Sequence, residues 1–215
     1  MIKDIVEDLL SVDDRTWAYY AYRKEPLRGK LSFDEYYENF VPGALDDAKK
    51  LAEDHRGKDV KDLAKELSLN VIMLPMQQGQ VVYDFAIYNE PDTIQIYGDN
   101  AAESQIIVDS LDDDRVKVDI VDMLLAHEIF HALQSRYEDL FVNRKHIKLW
   151  KIFGYENISR LVSLEELAAM YFAKYFLGMG AVPYVYDVIM SMSRDPKKAK
   201  ELYQDIMKLK EEVHG

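Results

Sequence analysis

His127-Glu128-Ile129-Phe130-His131, set inside the apolar run Ile120 to Leu133, is the stretch on which the fold turns. Residues four apart share one face of an α-helix, a single turn from each other. Two imidazoles so placed can each bring a nitrogen to within about 2 Å of one metal ion. Glu128 lies about 100° round the same helix. That is a poor position for a third ligand but a good one for reaching a water on the metal. Ile120, Val121, Leu124, Leu125, Ala126, Ile129, Phe130, Ala132 and Leu133 surround the polar trio, so this helix is buried on several sides. Buried polar groups need partners, since leaving one unpaired costs about 1–3 kcal/mol. A shared metal ion satisfies all three.

Upstream of the motif, Asp112-Asp113-Asp114 offers a cap and negative charge for a helix start, which predicts a helix from about Arg115 to about Ser135. Before that come short runs rich in Val, Ile and Tyr: Asn70 to Met76, Val81 to Tyr88, Thr93 to Tyr97 and Gln105 to Val108, with turn residues at Gly79, Pro91 and Gly98 to Asn100. They predict a small, mostly antiparallel sheet. Residues 1–66 read as charged helices: Ile2, Ile5, Val6, Leu9 and Leu10 fall at helical spacing, Leu31 to Leu51 breaks at Pro42-Gly43, and Lys58 to Leu67 adds a short helix. Downstream, helices are expected over Asn143–Ile152, Ser163–Leu177, Tyr184–Met192 and Pro196–Val213. Helices, a small sheet, then helices make an α+β pattern. The division is a helical N-terminal subdomain, 1–66, and a metal-site domain, 67–215, which could equally form one continuous domain.

Composition narrows the partners. With 39 acidic against 27 basic residues the net charge is -12, which repels phosphate backbones and argues against nucleic acid. The chain has no cysteine, which removes disulfides, thiolate ligands and a catalytic Cys, and suits a cytoplasmic protein. Lys3, Asp4, Glu7 and Asp8 leave no apolar core for a signal peptide. Leu167 to Tyr186 is the most membrane-like segment, but Lys174, Gly178, Gly180 and Pro183 interrupt it, so it reads as a buried helix and a turn, with no membrane partner.

A catalytic zinc site takes three protein ligands and a water. A third His six residues after the second is ruled out by Tyr137, and a Cys ligand by composition. Downstream, Ser163-Leu164-Glu165-Glu166-Leu167-Ala168-Ala169-Met170-Tyr171-Phe172-Ala173 resembles the ligand-bearing second helix of gluzincin-type zinc peptidases. The nearest likeness is to ImmA/IrrE-type peptidases, through Glu166, Ala169, Phe172, Ala173 and Leu177. The resemblance implies a zincin-like fold, Zn2+ as cofactor, and His127, His131 and Glu166 as metal ligands. Glu165, three residues before Ala168, stays open as the alternative, and Ser163-x-x-Glu166 also reads as a capping box. Two positions depart from the family pattern: Phe130 stands where those peptidases carry Gly, and Met170 where a thermolysin-like Asp would fall.

The expected activity is hydrolysis of peptide bonds by a metal-activated water, with Glu128 as general base and a peptide or protein as substrate. The alternatives are a catalytically inactive zincin-like binding or regulatory protein, and a helical interaction protein without metal. Thr93–Tyr97 or Gln105–Val108 is the candidate edge strand for an extended substrate. Residues 1–66 are a docking subdomain, part of the core, or a cover for the cleft. The oligomeric state is left open, and His55, His146 and His214 carry no motif.

Overall fold

Side-chain caps set several of the helix starts in the first third of the chain. The computed structural model describes residues 2–75, 85–152 and 155–215. Helix α1 spans Ile2–Leu10 and α2 spans Asp14–Lys24; Asp13 opens α2 by accepting from the Thr16 N–H at 2.7 Å. Helices α3 (Phe33–Asn39) and α4 (Val41–Asp54) meet at Phe40. Pro42 therefore lies in the first turn of α4, where its missing N–H is no loss, and the expected break falls just ahead of it. Gly43 serves packing: a Cβ there would stand 2.6 Å from the ring of Phe141. Asp59 caps α5 (Val60–Glu66).

Strands β1 (Asn70–Leu74), β2 (Ala86–Asn89) and β3 (Thr93–Tyr97) form a sheet in the order β1-β3-β2. β2 pairs with β3 antiparallel, as expected, while β1 joins β3 in parallel. Met76 and residues 81–84 of the expected strands lie outside the described residues. Thr93–Tyr97 is the central strand and not an edge; among the described residues β2 is the edge on its far side.

Two expectations from local pattern fail here. Gln105–Val108 belongs to helix α6 (Gly98–Leu111). Its Ala101, Ser104, Val108 and Leu111 are buried at spacings of three and four, and this helical stripe overrides the β-branched pair Ile106-Ile107. Asp112 ends α6 in the left-handed region (φ 51°) and Asp113 binds Arg115, so the acidic triplet does not open the next helix. That start belongs to Asp119, which accepts from the Asp122 N–H at 3.0 Å, and α7 runs Ile120–Arg136. The helix expected over Asn143–Ile152 is instead a short α8 (Phe141–Arg144) followed by strand β4 (Ile147–Ile152). β4 forms an antiparallel ribbon with β5 (Tyr155–Ser159), a partner that local periodicity does not reveal.

Helices α9 (Val162–Leu177), α10 (Tyr184–Arg194) and α11 (Pro196–His214) follow close to expectation. Gly178, at φ 65°, terminates α9 in the conformation that glycine adopts most readily. Among the described residues no helix is long and apolar enough to cross a membrane. On α11, Lys197–Glu201 and Lys208–Glu212 pair one turn apart, as a solvated face should.

The fold is α+β. Helix α7 packs against β2, β3 and α9, and α9 packs against α4 as well. Fully buried Ala44 and Ala48 on α4 and Ala168, Ala169 and Ala173 on α9 allow close helix approach. Phe130 is fully buried and its ring centre lies 5.9 Å from that of Phe172, which ties α7 to α9. Buried side chains from 2–66 and from the rest of the chain belong to one contiguous cluster. Asp119 caps the motif-bearing helix together with Gln105, whose Oε1 accepts from the Ile120 N–H at 2.8 Å, and Asp119→Ala should lower unfolding stability by about 1 kcal/mol. A urea titration followed by circular dichroism checks this, and an unchanged midpoint would count against the cap.

Candidate metal centre

Two helices supply the site. α7 brings His127 and His131 to the same face, and α9 brings Glu166 across to them. His127 Nε2 stands 3.3 Å from His131 Nε2 and 3.3 Å from Glu166 Oε2, and His131 Nε2 stands 3.5 Å from Glu166 Oε1. Among the described residues these three form the one His, Cys, Asp or Glu group able to hold a metal ion, with ligand atoms within 4.8 Å of one another. The separations fit zinc: ligands about 2.0–2.1 Å from a tetrahedral ion lie roughly 3.3–3.4 Å apart.

The adjacent acid has a different job. Glu165 reaches Arg160, with Oε1 3.3 Å from Nε, and does not join the group. Val162 begins α9 one residue ahead of Ser163, so Ser163 is inside the helix and its hydroxyl lies 3.3 Å from the Tyr36 hydroxyl. It is therefore not the cap of a Ser-x-x-Glu box, and Glu166 turns to the histidines.

A chain of amides orients His131. Its Nδ1 lies 3.3 Å from Gln134 Oε1. Gln134 Nε2 donates to Asn143 Oδ1 at 3.2 Å, which fixes the amide with its oxygen toward the imidazole. Asn143 is held in turn by donating to the carbonyls of Gln134 and Tyr137, and Arg160 donates to its Oδ1. With Nδ1 as donor, the Nε2 lone pair of His131 points into the group. Gln134 could have been found from the sequence, three residues after His131 on the same helix; Asn143 and Arg160 carry no sequence signal.

Glu128 is 7% exposed, and its Oε2 accepts from the backbone N–H of Tyr88 at 2.7 Å. Tyr88 is on β2, so the sheet edge lies directly over the motif. Sequence reading missed Tyr88 because the edge strand could not be told from the central one. Phe85 pairs with Tyr97 through a backbone hydrogen bond, and Ala86 and Tyr88 lie opposite Ile96 and Ile94. The alternation of an antiparallel ladder then turns the main-chain groups of Ala86 and Tyr88 away from β3, toward the cleft. That cleft has a volume of about 440 Å³ and is walled by β2, α7 and the start of α9. None of its described lining residues comes from 2–66, so that segment does not cover it.

Burial disfavours charge on His127, but the hydrogen bond and charge of Glu166 outweigh it and hold the imidazole well above its usual pKa. Burial likewise opposes ionisation of Glu166, and its contacts with His127 and His131 win, holding it below the usual carboxylate range. His131 is pushed down by burial and by the His127 charge. Contact with Glu166 thus favours the protonated form of His127.

Comparisons with known families, with characterised proteins and with solved structures return no match.

Metal binding must displace the His127 proton, because only the neutral imidazole is a ligand. Zinc affinity should therefore rise as pH increases from mildly acid to mildly alkaline. Chelator competition across that range tests the sign, and an affinity that is flat with pH would rule out proton release from His127.

Proposed function

We propose that this chain is a zinc-dependent peptidase with a zincin-like arrangement of sheet edge, motif helix and ligand helix. The observation that carries the reading is the triangle of His127, His131 and Glu166 at tetrahedral spacing, on the floor of a cleft walled by β2, the edge strand among the described residues. Zinc held there supplies Lewis-acid polarisation of a carbonyl and lowers the pKa of a bound water toward about 7.

The remaining work falls to the protein. The edge of β2 can pair with an extended peptide through the outward groups of Ala86 and the carbonyl of Tyr88. The Tyr88 N–H is already engaged by Glu128 and aims that carboxylate. Glu128 takes a proton from water as the water oxygen bonds to the peptide carbon, then passes it to the departing nitrogen as the C–N bond breaks. Beyond His127 and Glu128 lies a smaller pocket of about 150 Å³, walled mainly by Met123, Leu124, Met170, Pro183 and Met190. It suits an apolar substrate side chain. Met170, at one of the two departures from the gluzincin pattern, thus has a place in the apolar wall.

Replacing Glu128 with Gln keeps the shape and removes the base. Hydrolysis of unfolded protein or of a peptide library should fall by about 100-fold or more, with zinc content unchanged. Full activity in that variant would remove Glu128 from the chemistry. A wild-type protein that binds zinc but cleaves nothing would favour an inactive binding scaffold.

A further inference from the structure

Glu25 is a carboxylate with no exposed surface, not among the residues that line the cleft and unused by the chemistry proposed above. Both of its oxygens are engaged by backbone. Oε1 accepts from the Leu27 N–H at 3.0 Å, and Oε2 accepts from the Ser163 N–H at 2.9 Å. The second contact joins positions 138 residues apart, and Ser163 is three residues before Glu166.

Helix α9 needs this contact. Its own N-cap residue is Leu161, whose side chain makes no cap hydrogen bond; the Leu161 carbonyl accepts from the Leu164 and Glu165 N–H groups, and the Ser163 N–H is met by Glu25 from outside the helix. Ser163, 4% exposed, is out of reach of bulk water. A carboxylate delivered by a remote segment meets an unpaired donor and the positive end of a sixteen-residue helix together. A second grip lies further along the same pair of helices: Tyr171 on α9 donates its hydroxyl to Asp14 Oδ1, in the first turn of α2, at 2.5 Å. Glu25 directly follows α2, so the two contacts fasten α9 to both ends of that helix. Two grips constrain sliding and rotation of α9, and either motion would carry Glu166 away from His127 and His131.

We infer that Glu25 is a positioning residue for the metal centre: by capping α9 from outside, it sets the axial and rotational placement of Glu166. The inference rests on the metal reading above. It gives the N-terminal helices a role as the clamp of the ligand helix.

The test uses the full-length chain with Glu25→Gln, which keeps the shape but removes the charge and one acceptor. Zinc affinity is measured by chelator competition, and the ligand field by the visible absorption of the Co2+-loaded protein. Affinity should weaken by about 10- to 100-fold, as when a partner outside the ligand shell is lost, and the Co2+ bands should shift or weaken. Tyr186→Phe is the control. It removes a buried hydroxyl that donates to the Val116 carbonyl, so it should lower the melting temperature and leave affinity and spectrum unchanged. If Glu25→Gln does not fold, Glu25→Asp, which retains charge with a shorter reach, is read the same way. A Glu25 variant that binds zinc like the wild type with an unaltered Co2+ spectrum overturns the inference and leaves the metal centre standing. A wild type that binds neither ion overturns both.

Discussion

Two imidazole nitrogens and a carboxylate converge from separate helices to within hydrogen-bond distance of one another, and a group of that kind holds together only around positive charge. In the metal-free protein a proton on His127 meets the need in part. One proton cannot satisfy three lone-pair donors arranged in a triangle, whereas a divalent cation can. Much of the surrounding architecture serves to keep that triangle in place. Phe130 and Phe172 lock the two helices, the amide chain from Gln134 to Arg160 orients one imidazole, and α4 lies against the back of α9.

The sheet contributes an edge more than a core. β3 buries Ile94 and Ile96 against the rest of the molecule, while β2 is only half-buried along its length and looks into the cleft. The contact between the Tyr88 N–H and Glu128 joins these layers, so strand and motif helix keep a fixed separation. A carboxylate anchored this way has its orientation set by the strand.

What could be read in advance follows from how local each signal is. His127 and His131 were legible because helical periodicity puts residues four apart together whatever the tertiary context. Choosing Glu166 over Glu165 needed the geometry, because adjacent residues differ by about 100° and the sequence does not say which way a helix is turned. Gln105–Val108 and Ile147–Ile152 were misread for one reason. Short apolar runs are ambiguous locally, and their state was settled by a buried stripe in one case and by a pairing strand in the other. Glu25 gave no sign at all, since its importance lies in a backbone donor 138 residues away.

The brevity of β2 has a further result. An uncovered edge can recruit other copies of a chain into endless ladders, and natural sheets defend against this with short strands, charge and proline. Here the open rim is four residues long, Ala86–Asn89, and Glu90 and Pro91 follow at once. Among the described residues it ends against a charge and a proline, the kind of short, blunted edge that disfavours pairing between copies of a chain.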